Sequence, residues 1–571
     1  MITRRLLVLL LGFGLVLAVL AVPARVAAQG GCDRFVLGID TSDTGDCSSE
    51  TAPCETIQYA IDQAVGGDTI CVASHALAGP LVYTESLSIT KSITLDGAWV
   101  GMCVDPSNLT CTVDPTPCDP ANVTVDAGGV GRAITIDGSG APGTVAPTIR
   151  CVTITGGDAD GLGGDPGGSH AGGGIFSRDA APIIANSVIS GNFGCDICSG
   201  ANGCGGGIYL LNAPDTAIVR DSVIAHNVAD NTSWGRGGGV MLRDSDAQII
   251  DNVIEENRAG ALAGDGGGIA VFGGSPTIRG NEVLDNIGGL SGHGQGGGIY
   301  GQGGTLEIGD NIIAENTGAL YDSAFGGGVA LTETTALIWG NRLISNTATL
   351  DSGGQGGGIY GGLGTYEVVD NVISGNLASA VNAGNGGGVY FQYNSVRLEG
   401  NTITNNSASP GVIAAGGGVR LAVVDPFTVT NNIIARNGPA REGAGIAILN
   451  GTNGELAHNT IANNHGGDGV GVFVKGTSNV ALTNNIVTDH KVGVKNDFPG
   501  TAVVTAAYTL FEGNSADVQD VVSTNMIAGP AALLPNYHLS PSSTAIDAGV
   551  TLGWVTQDID GEARPSGSVS D

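Results

Sequence analysis

Basic side chains are scarce in this 571-residue chain: 22 Lys and Arg stand against 54 Asp and Glu, a net charge of −32. That excludes nucleic acid as a partner, because binding it requires clustered cations that displace phosphate counterions. Cysteine is absent after Cys204, all eleven lying between Cys32 and Cys204. Beyond the N-terminal stretch, no run is long and apolar enough to cross a membrane as a helix. Helical periodicity is missing from the repeated part, and a helical repeat would not tolerate three consecutive glycines at ~1 kcal/mol each against alanine. No catalytic motif rises above the background. Disorder is excluded by an apolar fraction of 42%.

The first residues read as an export signal, residues 1–28. Arg4 and Arg5 precede the apolar run Leu6–Val22, and Val26-Ala27-Ala28 supplies small residues for cleavage. The Leu-rich core favours general secretion over the twin-arginine route. Export makes local disulfides the expected state of the cysteines. The alternative is a zinc site of Cys195, Cys198 and Cys204 with His170 or His226, which lacks a second Cys-x-x-Cys. The odd count leaves at least one thiol free or intermolecular.

Glycine is the abundant residue, with 98 copies. Nine times between Gly172 and Val419 the chain writes Gly-Gly-Gly followed by Ile or Val, and from Gly266 the triplet returns every thirty residues. A second mark, Asn-x-(Ile/Val/Leu)-x-x-Asn, keeps the same period at Asn252, Asn281, Asn311, Asn341, Asn371 and Asn401. Two motifs locked at one period mean stacked equivalent turns. Apolar residues alternate after each triplet, as in Ile269 and Val271 or Val329 and Leu331, which places them on one face of a strand. The glycines suit corners that need φ > 0 or close approach of a neighbouring turn. The six asparagines suit a structural ladder, each inward amide bonding its copy ~4.8 Å along the stack.

This pattern resembles the right-handed parallel β-helix, the pectate-lyase-like fold with its asparagine ladder. The resemblance implies an all-β solenoid. The paired Gly-Gly-Gly-Ile and Asn-x-Ile-x-x-Asn motifs are also similar to the repeats of polymorphic outer-membrane proteins, with Ile or Val where those carry Phe. The polar stretch between the last Asn and the next triplet, such as Thr317–Phe325, reads as a protruding loop.

Ile57, Ala60, Ile61 and Ala64 follow helical spacing, and that helix is expected to cap the N-terminal end of the solenoid. Residues 29–150 then hold the cap and first turns with Cys-rich insertions, 151–515 the main repeats, and 516–571 a C-terminal cap. Ser540–Gly549 and Asp558–Pro565 resemble the terminal module of the choice-of-anchor Q family, which implies bacterial surface attachment.

Chemistry has to be sought between the repeats, because the fold serves lyases, hydrolases, adhesins and spacers alike. Gly292-His293-Gly294 resembles the Gly-His-Gly of polygalacturonases, but the Asp pair and Arg-x-Lys of that family are missing, so His293 reads as a solvated loop residue. Asp244, Asp246, Asp251, Glu255 and Glu256 form a local acidic group with Arg243, Arg258 and Arg279 nearby. The outward residues after the triplets include Phe176, Tyr209, Tyr300, Tyr360 and Tyr390, which stack into a broken aromatic stripe suited to sugar rings, unless the loops fold back over it. No catalytic residue and no metal ligand is assigned. Calcium fits the charge but has no specific motif, Gly264-Asp265-Gly266-Gly267 matching the nonapeptide calcium repeat only once. The expected protein is a monomeric, secreted or surface-displayed stalk or adhesin that contacts an extracellular polysaccharide. The alternative is a polysaccharide lyase or hydrolase on the same fold.

Overall fold

One turn of the computed structural model shows how the sequence marks become geometry. After Gly266–Gly268 the chain runs out as strand Ile269–Phe272 and continues as Thr277–Arg279. It corners at Gly280, enters Glu282–Leu284, corners again at Asp285, and leaves as Ile287–Gly289. A short strand, Gly294–Gln295, brings it back to the next triplet. Each strand pairs in parallel with its copy one turn away, as Ile269 does with Ile299 and Val283 with Ile313. Among the described residues, stacking these turns gives sheets of 29, 15, 9 and 7 strands, parallel except for one hairpin, an all-β right-handed parallel β-helix. The structure describes residues 31–39, 41–75, 80–103, 111–115, 118–198, 202–409 and 414–564. The export signal, residues 1–28, lies outside the described residues.

The triplet glycines are there for close approach. Gly266 has φ +66°, while a Cβ on Gly267 would fall 2.4 Å from the Gly297 carbonyl oxygen. A Cβ on Gly268 would press on Asn286 Nδ2 at 3.1 Å. The inward apolar residues, among them Ile269, Val271, Ile278 and Val283, are fully buried and join one continuous core along the stack. Hydrophobic burial therefore repeats turn by turn and does not depend on a single centre.

Both asparagines of the motif form ladders. In the first, Asn252 donates through its backbone N and its Nδ2 to Asn281 Oδ1, both at 3.0 Å, and the pattern continues through Asn311, Asn341, Asn371 and Asn401 to Asn432. The second runs through Asn257, Asn286, Asn316, Asn346, Asn376 and Asn406. It continues through Asn437 to Asn464, which meets His490 Nε2 at 3.2 Å, and the His490 backbone N–H donates in turn to Asn514 Oδ1 at 3.0 Å. Each Nδ2 also donates to a carbonyl of the preceding turn, as Asn311 does to Ile278 at 2.9 Å. Each ladder amide from Asn252 to Asn464 has partners, which is why these polar residues are tolerated at 0–1% exposure.

The corner before the first ladder carries a charge pattern of its own. Asp251, Gly280, Asp310, Gly340, Asp370 and Gly400 occupy it in successive turns, all with positive φ. Carboxylates repeated at every rung would lie ~4.8 Å apart. Alternation with glycine doubles that spacing to roughly a Debye length, where solvent screens the repulsion.

The stretch expected to protrude as a loop is ordered. Thr317–Ala319 and Ala324–Phe325 pair with their copies above and below and belong to the 7- and 9-stranded sheets. Together these strands form a thin wing in which outgoing and returning backbones almost touch. A Cβ on Gly264 would lie 2.3 Å from Gly288 O. Where the two backbones meet, at positions such as Gly264, Gly288, Ala319 and Ala324, only small residues fit, and larger ones such as Ile287 and Phe325 stand at strand ends, so the wing lacks the apolar alternation by which strands are recognised in sequence.

At the N-terminal end the expected helix is present as Ile57–Gln63, with Thr56 as N-cap accepting from the Tyr59 N–H. Ile57, Ala60, Ile61 and Ala64 are buried, and the Glu85 carboxylate accepts from the N–H groups of Ile57 and Gln58 at 2.9 Å. Cys32–Cys71, Cys47–Cys54, Cys118–Cys151 and Cys195–Cys198 are disulfide-bonded, which fits an oxidising extracellular or periplasmic setting. Among the described residues Cys204 is free and buried. The bridge Cys195–Cys198 removes two of the three thiols of the zinc alternative, and His226 instead faces Glu256 at 3.2 Å. The Cys-rich insertion holds a β-hairpin that sets Cys103 opposite Cys111.

Solenoid strands continue to Val522–Thr524, after which the chain folds back along the flank of the last turns. Where it covers the 15-stranded sheet, outward positions change from Glu282, Ile312 and Arg342 to the buried Ile433, Ile486 and Leu510. These pack on Ile527, Leu533, Leu539, Tyr537 and Ile559 of the returning segment.

Candidate functional site

The residues after the triplets do stack one turn apart. Phe176 registers on Tyr209, Tyr209 on Met241, Ala270 on Tyr300, and Tyr360 on Tyr390. They point out of the solenoid interior, as alternation requires, yet none offers an open face to a ligand: Phe176, Tyr209, Tyr300, Tyr360 and Tyr390 are 0–7% exposed. The returning edge of the wing lies over them. Phe325 packs on Tyr360 with ring centroids 4.7 Å apart, and Tyr360 on Tyr390 at 5.7 Å. The aromatic stripe is thus a second, thinner core between the first sheet and the wing. Only its polar edge meets the lip of that seam. Tyr390 Oη donates to Gln392 Oε1 at 2.8 Å, and Gln392 Nε2 donates to Tyr360 Oη at 2.5 Å. Tyr209 Oη donates to the buried Asp165 carboxylate at 2.7 Å.

The column narrows at two rungs. Met241 and Ala270 replace rings at two successive rungs, and the neighbouring column there brings Arg243 and Phe272 into register. The short wing strand Gly235–Arg236 supplies Arg236, with Trp234 just before it. The Arg236 guanidinium lies 5.1 Å from the Trp234 ring centroid and 4.8 Å from that of Phe272. Arg243, one rung away in the same column, approaches Phe272 at 5.8 Å. Trp234 is 40% exposed, and both arginines retain access to solvent. Two guanidiniums beside aromatic rings, each also within 4 Å of a carboxylate, form a stacking surface with N–H donors on a chain of net charge −32.

Asp265 forms the floor of this patch. Its carboxylate is 3.5 Å from Arg236 Nε and accepts from Gln295 Nε2 at 3.1 Å. Burial raises its pKa to about 6 despite the opposing pull of Arg236. No spacing in the sequence joins Trp234, Arg236, Arg243, Asp265 and Phe272. They come from three turns, and the wing that carries two of them has no strand signature.

The other sequence candidates do not converge. His293 is half-buried instead of solvated: its ring packs edge-on against Phe325 at 5.1 Å, with Nδ1 3.1 Å from Ser323 Oγ. Burial lowers its pKa. In the acidic group, Asp244 lies beside Arg243 at 3.6 Å and the Asp246 carboxylate caps the Ser275 N–H at 2.7 Å. Glu255 and Glu256 lie on the next corner, where they and Glu315 raise the pKa of Asp285 after burial has done so. The closest set of metal-type ligand atoms among the described residues is Asp160, His170 and Cys195, within 4.8 Å. Cys195 is committed to its disulfide, and His170 Nδ1 accepts from the Gly163 N–H at 3.3 Å, which leaves the ring proton on Nε2.

No curated protein matches the chain significantly in sequence. Among solved structures it is similar to bacteriophage CBA120 tailspike protein 3, with 8% identity over 82% of this chain and 57% of that one, TM-score 0.30. The chain thus spans little more than half the length of that protein. It is also similar to the periplasmic alginate epimerase AlgG, with 12% identity over 61% and 77% of the two chains, TM-score 0.33. A third is DFA-IIIase from Arthrobacter chlorophenolicus A6, with 14% identity over 76% and 94%, TM-score 0.31. The sequence model described as right handed beta helix region matches residues 175–377 and 327–516. That span covers more than half of the sequence and coincides with the stacked turns, so the chain belongs to the right-handed beta helix family.

Proposed function

We propose that the protein is an exported, surface-displayed or secreted β-helix that acts as a rigid stalk or adhesin and binds an extracellular polysaccharide at the Trp234–Arg236–Arg243–Phe272 patch. The observation that carries this reading is the pair of guanidiniums bracketing Phe272 beside an exposed Trp234. Aromatic faces stack on sugar rings, and guanidinium groups take carboxylates in a bidentate grip. The ligand class is therefore an acidic glycan, bound on the flank of a rod whose stiffness comes from two asparagine ladders. Export and surface display rest on the signal segment, the disulfides and the resemblance of the terminal module.

The test is binding of the full chain to an array of neutral and acidic polysaccharides. Trp234→Ala and Arg243→Ala should each weaken binding to uronate polymers at least ~10-fold, a loss of ~1.4 kcal/mol, while the unfolding midpoint stays unchanged. No binding to any acidic glycan, or binding indifferent to both variants, removes the proposal.

A second reading, cleavage of such a polymer, is favoured by one feature alone. Asp265, held at about pKa 6 next to Arg236, has the titration range of a general acid or base. Release of reducing ends or unsaturated uronides that Asp265→Asn abolishes would establish it.

A further inference from the structure

The segment that folds back after Thr524 does not lie flush on the solenoid. Between them is a cleft of about 270 Å³, lined by residues 431–433, 458–460, 484–486, 508 and 510 on one side and by residues of 527–564 on the other. Its size is just below the roughly 300–1,000 Å³ of common ligand pockets. A single small ring fits there and a polymer does not.

The solenoid wall of the cleft departs from the pattern of the turns above it. The corner column that alternates Asp and Gly through Gly400 changes to Asn431, His458, Asn484 and Tyr508, each still with positive φ. Two of these fasten the returning segment. Asn431 Nδ2 donates to the Gln557 carbonyl at 2.8 Å. Asn484 exchanges two bonds with Val550, at 2.7 and 2.9 Å. The other two supply the wall between and beyond the fastenings. His458 is 7% exposed, with Nε2 3.0 Å from Asn484 Nδ2 and the Arg564 guanidinium at Nδ1. The floor is apolar, made by Ile433, Ile486, Leu510 and, from the returning segment, Ile527, Leu539 and Ile559.

The opposite rim carries Asp558, Asp560, Glu562, Tyr537 and His538. One carboxylate there faces an imidazole and another accepts from backbone N–H groups. His538 Nε2 is 3.2 Å from the Asp560 carboxylate. Asp558 Oδ1 accepts from the N–H groups of Asp560 and Glu562 at 3.0 and 2.8 Å. Three carboxylates face one imidazole on this rim, so the cleft disfavours an anion. It presents carboxylate acceptors, imidazole and phenol groups that donate and accept, and an apolar floor with tyrosines at its edge. A polyhydroxylated ring has this complement: hydroxyls that both donate and accept around its rim, and an apolar C–H face.

We infer that the cleft between the returning segment and the last turns is a binding site for one neutral sugar ring of hexose size, either free or as the terminal unit of a glycan. It is separate from the Trp234 patch in position and in charge. In this role the returning segment is one jaw of a site as well as a cover for Ile433, Ile486 and Leu510.

The test is calorimetric or saturation-transfer NMR titration of the full chain with glucose, galactose, mannose and N-acetylglucosamine, each as free sugar and as methyl glycoside. At least one should bind. Glu562→Gln and Tyr508→Ala should each weaken it ~10-fold or more, equivalent to ~1.4 kcal/mol, and Trp234→Ala should leave it unchanged. Binding of the free sugar alone identifies a free ligand, and binding of both forms a terminal glycan unit. If no sugar binds at about 10 mM, a Kd too weak for a built site, the inference is overturned. It is equally overturned if binding survives both cleft variants or is lost with Trp234→Ala. Because Glu562 is exposed and its side chain supports no fold contact named above, loss in that variant does not reduce to unfolding.

Discussion

Asn311 gives two hydrogens to one oxygen of Asn341: its backbone N and its Nδ2 both lie 2.9 Å from Asn341 Oδ1. Removing that oxygen leaves two buried donors unmet in a region of almost no exposure. Asn341→Ala should cost about 2–5 kcal/mol, seen as a lower midpoint in urea unfolding. Glu282→Ala, on the exposed face of the same sheet, should stay within about 0.5 kcal/mol.

Close backbone approach makes a similar contrast between glycines. A Cβ on Gly297 would meet the Thr317 carbonyl carbon at 2.4 Å and Gly327 O at 2.6 Å, whereas Gly500 has nothing within 4 Å. Gly297→Ala should destabilise by at least ~1–3 kcal/mol and Gly500→Ala should be neutral, as thermal unfolding will report.

The buried tyrosines are expected to act on stability. Tyr390→Ala and Tyr360→Ala should each cost about 3–5 kcal/mol. Tyr390→Phe, which loses only the bond to Gln392, should cost about 1 kcal/mol. Any loss of glycan binding in the alanine variants has to be read beside the unfolding midpoint, whereas Trp234→Ala is free of that overlap.

His490 stands in the second ladder as an imidazole whose Nε2 receives Asn464, and burial lowers its pKa to about 4 from 6.5. Since the unfolded chain takes up this proton at higher pH than the folded one, stability falls as pH drops from about 6.5 towards 4. An asparagine at this position keeps the acceptor and does not titrate. His490→Asn should therefore gain about 2 kcal/mol over the parent near pH 5, with the difference vanishing above about pH 7, measured as urea midpoints across pH.

Much of the fold is legible in the chain because its causes are local. Gly-Gly-Gly-Ile fixes a corner and a strand, and Asn-x-Ile-x-x-Asn fixes two inward amides around one inward aliphatic. The capping helix is equally local, four apolar residues at helical spacing. The wing was hidden for a physical reason: strands such as Thr317–Ala319 and Gly294–Gln295 are held by backbone pairing between turns and by small residues, with no apolar alternation to mark them. Its effect on Tyr300, Tyr360 and Tyr390 was hidden with it, since alternation tells which way a ring points and nothing about what covers it.

By itself, the sequence determined the repeat, the parallel stacking, the inward amides and the N-terminal cap, because each follows from contacts within a turn or between identical residues one period apart. Tertiary structure alone decided which outward groups remain accessible. It buried the aromatic stripe beneath the wing, left Trp234, Arg236, Arg243 and Phe272 at the gap above Asp265, and laid the C-terminal segment across His458. Those arrangements join residues from different turns and different strands, and no spacing along the chain encodes such a meeting.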